Sequence, residues 1–221
     1  MPFHQAQTAR ASGSWGTILA LVEADGSARR PILTALQKPN ASLRDIADAV
    51  HCLCMLHGRH PGVIDHATAH GALPEAQAWL DQAAEAFADE RAWLIKLVSA
   101  VGPLPSTPGQ AETEAAITAQ HHALDMLAQS DRGGCAIGAA VAVALDWIAL
   151  REMLDAVGER LSLAIPASHL PDINETAAMI SASSISPGAE RAMAFGTQQT
   201  LTMHRALWDL IEARASARGP H

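Results

Sequence analysis

The 221 residues include no tyrosine, only three phenylalanines and only two lysines, Lys38 and Lys96. Period-two alternation of β-branched and aromatic residues is missing, which removes the usual strand signal. The three cysteines, Cys52, Cys54 and Cys135, are too few for a disulfide scaffold. Cys52 and Cys54 stand two apart, and side chains two apart on a helix point about 200° away from each other. They read as core thiols in a reducing compartment. The longest apolar run, Cys135 to Leu145, has eleven residues, against about 20 for a membrane span. Met1–Arg10 is polar and carries no secretory pattern, so the expected location is the cytoplasm, away from the membrane. With a net charge of −8 the chain is not expected to bind nucleic acid, which needs a basic face. A hydrophobic content of 49% excludes disorder. No G-x-S-x-G elbow, P-loop, dinucleotide fingerprint or zincin motif is present.

Helical signals are abundant. Alanine fills 46 positions and is the strongest helix former. Thirteen arginines against two lysines, beside so much alanine, reflect GC-rich codon usage rather than a function. Helices are predicted over Ser14–Glu23, Ser27–Gln37 and from Ser42 to His57, where Ser42 is an N-cap with Asp45 three residues on. Leu43, Ile46, Val50, Leu53 and His57 line one face of this third helix. Gly58 and Pro61-Gly62 end it, and a short helix is expected over Gly62–His70. Pro74 opens a long helix to Val101. Three prolines between Gly102 and Gly109 forbid regular structure. Thr107-Pro108-Gly109-Gln110 then reads as a capping box for a helix to Ser130. After Gly133-Gly134, which with Gly138 reads as a turn and a close helix contact, an apolar helix runs from Cys135 to Arg160. Segment 161–185 is broken by Pro166 and Pro171, with a turn or two over Asn174–Ile180. Ser186-Pro187 starts the last helix, to Ala213. The five tryptophans read as core anchors, and Asp81, Glu85, Asp89 and Glu90 as a solvated face. The expected fold is all-α: a single-domain bundle of about seven helices over residues 14–213, with 1–13 and 214–221 fraying.

Five of the eleven histidines fall within residues 51–70: His51, His57, His60, His66 and His70. Imidazole is the commonest metal ligand and the usual proton-transfer group near neutral pH. His57 and His60 extend the apolar stripe. His121 lies on the apolar face of its helix with Ile117, Leu124 and Ala128, and Asp125 is its i+4 neighbour. His204 lies on the apolar stripe of the last helix. Asp146 sits among apolar helical neighbours and therefore needs a buried partner, for which His121, His57, His60 or an arginine qualify. His57, His60, His121 and Asp146 form the candidate metal site, for a transition metal or for haem through an axial histidine. The di-iron pattern of paired glutamates with Glu-x-x-His is echoed only by Asp48-x-x-His51. Arg59 is expected to pair with Asp65 or Asp48.

The segments HCLCMLHGRHPGVIDHA (51–67), GPLPSTPGQ (102–110) and LAQSDRGGCAIGAA (127–140) resemble those of an uncharacterised all-helical protein family of alphaproteobacteria. The resemblance spans roughly residues 45–160 and implies no activity and no catalytic residue. The layout also resembles haem-oxygenase-like and ferritin-like bundles at the level of fold class, which does not imply function. Three readings stay open. The first is a non-catalytic cytoplasmic protein acting through self-association or a protein partner. The second is a bundle with an internal His/Asp site for a metal, haem or small apolar ligand. The third is an enzyme using His121 or His57 as general base, oriented by Asp146.

Overall fold

A computed structural model describes residues 13–70 and 73–219. Among these residues there are nine α-helices and no strand. They are α1 (Gly13–Asp25), α2 (Pro31–Leu36), α3 (Leu43–His57), α4 (Val63–Ala69), α5 (Pro74–Val101), α6 (Gln110–Ala128), α7 (Cys135–Arg160), α8 (Ile173–Ser183) and α9 (Pro187–Arg218), with a short 3-10 turn at Ser27–Arg29. The short helix expected over Gly62–His70 is α4, and the turn or two expected over Asn174–Ile180 is a full helix, α8; the count exceeds seven. The expected fraying of 1–13 lies outside the described residues, apart from Gly13, which is helical.

Local chemistry explains most boundaries. Ser42 caps α3 by accepting from Asp45 N at 3.4 Å. Asp172 and Glu175 form a reciprocal capping box on α8, and Ser186 Oγ accepts from Ala189 N at 3.2 Å at the start of α9. Two expectations are corrected. Ser27–Gln37 is not one helix: Arg30 is extended, and Pro31 begins α2 at a position where its missing N–H costs nothing. Thr107 does not cap α6, which starts two residues after Pro108 behind a left-handed Gly109. Its hydroxyl instead accepts from Arg218 and donates to the Pro105 carbonyl.

The core forms around α7. Residues Cys135 to Trp147 are buried on every side, as expected of a helix that is apolar all round, with α1, α2, α4, α5, α6 and α9 packed around it. Trp93, Trp147 and Trp208 are among the largest fully buried side chains. Helix α9 runs parallel to α7, because their contacts advance together: Thr197 donates to the Gly138 carbonyl at 3.0 Å and His204 meets Asp146. The close approach requires glycine on both sides. A Cβ on Gly138 would lie 2.0 Å from the Met193 carbonyl oxygen, and one on Gly196 would lie 2.1 Å from that of Cys135.

Two buried ion networks tie the helices together. Asp48 on α3 accepts from Arg214 and Arg218 on α9, and Arg218 also reaches Asp45. This explains why α9 continues through Arg218 rather than fraying after Ala213: both arginines are buried against α3. On the other side, Glu90 on α5 accepts from Arg151 and Trp147 on α7 and from Ser168. Arg151 also donates to the Pro166 carbonyl, pinning the irregular segment 161–172 over α5 and α7. Glu90 is thus only 1% exposed and leaves the solvated acidic face expected of it, where Asp81, Glu85 and Asp89 remain.

Candidate functional site

One continuous polar chain crosses the middle of the bundle. The Asp146 carboxylate, on α7, accepts from Ser27 N (2.6 Å) and Ser27 Oγ (2.5 Å) at the 3-10 turn. It also meets His204 Nδ1, on α9, at 2.6 Å. Trp208 Nε1, one turn along α9, donates to Ser27 Oγ at 2.9 Å. Gly26 lets the turn come this close, since a Cβ there would lie 2.9 Å from Asp146 Oδ1. His204 Nε2 meets Nε2 of His57, at the end of α3, at 2.9 Å. Ser27, His57, Asp146 and His204 are all buried.

Hydrogen-bond chemistry orients this chain. A carboxylate only accepts, so His204 Nδ1 carries a hydrogen toward Asp146. Of the two Nε2 atoms that face each other, one donates and the other accepts. Burial, followed by the neighbouring His204, His121 and Arg91, holds His57 well below the usual imidazole range, so it is neutral. Its Nδ1 has no hydrogen-bond partner among the described residues, and 5% of the residue's surface reaches solvent. Phe87 and Trp147 make T-shaped contacts with the ring, at centroid distances of 6.4 and 5.6 Å.

The candidate metal residues divide into three places. His57 and Asp146 belong to one chain but are joined through His204. His121 contributes to the electrostatics at His57, yet its Nδ1 bonds the Leu56 carbonyl at 2.9 Å. Its Nε2 faces Asp125 at 3.4 Å, on whose other side His66 Nε2 stands at 3.7 Å. His60 lies beyond the end of α3 with its side chain 71% exposed, 3.4 Å from Asp65. Among the described residues, no three His, Cys, Asp or Glu side chains are placed to hold a metal ion. Asp65 also accepts from Gly62 N, at the start of α4, and from Arg91 at 2.8 Å. Asp65 and Asp48 are therefore engaged by Arg91, Arg214 and Arg218, rather than by Arg59 as expected. Cys52 is a core thiol, and burial together with nearby Asp48 pushes it up to about 12.

Ser27 and His204 are the members that sequence reasoning did not place in the site. His204 was visible as a polar residue on an apolar stripe. Ser27 gave no signal beyond a turn after Asp25-Gly26. No curated protein and no solved structure is significantly similar to the chain. No helix among the described residues is long and apolar enough to cross a membrane. Residues 22–219 match the family of unknown function DUF6975, and the chain belongs to that family.

Proposed function

We propose that the protein is an enzyme with an internal acid–base site, in which His57 is the general base toward a small proton donor. The observation that carries this reading is the unbroken chain from Asp146 through His204 to His57, which ends on one uncommitted ring nitrogen. Asp146 orients His204, and His204 orients His57. When His204 is neutral, its Nε2 accepts from His57 Nε2–H, leaving the lone pair of His57 on Nδ1. A base held neutral, with its tautomer fixed from behind, is the arrangement that proton abstraction requires. The Phe87 and Trp147 rings beside His57 favour a small, largely apolar substrate, and the three free thiols fit a reducing cytoplasm.

A second reading is favoured by the saturation of Asp146, which takes three hydrogen bonds. In that reading the chain sets helix register only, and the bundle acts by self-association or through a protein partner. Exposed Leu43, Met126 and Ile185 would then matter more than the histidines.

Acylation by diethyl pyrocarbonate, which attacks a neutral imidazole lone pair, separates the two. Peptide mapping of the folded protein is expected to find His57 modified and His204, with both nitrogens engaged, protected. Exposed His60 and His169 serve as internal standards. An unmodified His57 beside modified His60 and His169 overturns the acid–base site. A concentration-dependent dimer in light scattering would then support the second reading.

A further inference from the structure

The same chain carries a consequence for where a proton comes to rest, which builds on His57 as the point of entry. The ring nitrogens of His57 and His204 form one series, from Nδ1 of His57 through the facing Nε2 atoms to Nδ1 of His204 against Asp146. In the state without an added proton there are two hydrogens, His57 Nε2–H and His204 Nδ1–H, both directed toward the carboxylate. We infer that His204, backed by Asp146, is a positioning residue and the resting place of a proton that enters at Nδ1 of His57.

The step balances within the two rings. A proton leaves its donor and bonds to His57 Nδ1. The His57 Nε2–H bond breaks, and that proton bonds to His204 Nε2 across 2.9 Å. His204 keeps its Nδ1–H toward Asp146. His57 ends neutral with its hydrogen moved from Nε2 to Nδ1, and the positive charge sits on His204 against the carboxylate. No oxidant, reductant or further reactant takes part.

The surroundings favour this end point. On the His57 side stand His121 of α6 and Arg91 of α5, the latter paired with Asp65 of α4, so cationic charge on His57 is opposed. On the His204 side stands Asp146 of α7, whose carboxylate is the nearest anion. Ser27 at the 3-10 turn and Trp208 hold that carboxylate in place. The relay lets a buried base act without itself becoming charged. A chain that serves packing alone has no need to change tautomer.

Nitrogen NMR of histidine-labelled wild-type protein tests the inference directly, because it reports which ring nitrogen bears hydrogen. As acid is added to the folded protein, His57 is expected to lose its Nε2–H signal and gain Nδ1–H. In the same step His204 gains a second N–H. If His57 keeps one tautomer throughout, or His204 gains its second N–H without any change at His57, the relay is overturned. The flip without acylation of His57 would support the relay while overturning the substrate-accessible site. Acylation without the flip would do the reverse.

Discussion

Replacing Gly138 with alanine places a methyl group where the backbones of α7 and α9 touch. The new Cβ would stand 2.0 Å from the Met193 carbonyl oxygen, 2.7 Å from its carbon and 2.8 Å from its Cα. Even a close C–H···O contact is about 3.3 Å, so α9 must retreat by about 1.3 Å. The neighbour is backbone inside a long helix, so no side-chain rotation relieves the clash. Overpacking of this kind costs about 1–3 kcal/mol, or more where nothing yields. Loss of the buried Thr197 hydrogen bond to the Gly138 carbonyl adds about 1 kcal/mol. Alanine's higher helix propensity returns about 1 kcal/mol. The net loss is about 1–3 kcal/mol, or about 2–12 °C in Tm for a chain of this size.

The perturbation also bears on the site. Asp146 lies eight residues beyond Gly138 on α7, and His204 lies eight beyond Gly196 on α9. In two parallel helices this places the His204–Asp146 hydrogen bond about 12 Å along from the close contact. Thermal unfolding followed by circular dichroism measures the loss. Gly188→Ala is the control, because its Cβ meets only Ser186 Oγ at 3.7 Å and gains helix propensity without a clash. A Gly138→Ala protein as stable as wild type, or a Gly188→Ala protein equally destabilised, would refute the close-contact argument.

Two further predictions follow from buried charge. Unfolded His57 takes up a proton below its ordinary value of 6.5, whereas the folded residue, held well below that, does not. The unfolded state therefore binds more protons, and stability falls as pH drops below about 6.5, by up to about 1.4 kcal/mol per pH unit from this one group. Urea unfolding midpoints between about pH 7.5 and about pH 5 should fall less steeply in His57→Gln than in wild type; equal slopes would contradict the burial argument. Ending the chain after Ala213 removes Arg214 and Arg218 and leaves Asp48 buried with both arginine partners gone. A loss of about 3–5 kcal/mol is expected, and a truncated protein with wild-type stability would show that the clasp is dispensable.

The features legible in the sequence were those that local chemistry decides. Ser42, Pro74 and Ser186-Pro187 mark helix starts because capping is settled within one turn, and the apolar stretch from Cys135 marks the central helix because no face of it carries charge. Asp146 was legible as a buried carboxylate in need of a partner, but the partner's identity was not. The histidines near residue 57 drew attention because they are close in sequence, yet His60 leaves the helix axis at the turn after Gly58, and His121 is taken by the Leu56 carbonyl and Asp125. The partner instead comes from α9, whose register on α7 is set by two glycines that leave no periodic signal. Gly138 and Gly196 bring the backbones together, the parallel run carries that register eight residues along both helices, and Asp146 and His204 meet there. The Arg214 and Arg218 clasp follows the same logic, since an arginine near a chain end looks solvated until a carboxylate on another helix proves to be buried beneath it. Pairings decided by helix register rather than by sequence spacing are therefore the ones that had to come from the structure, and the His57–His204 contact on which the proposed chemistry rests is one of them.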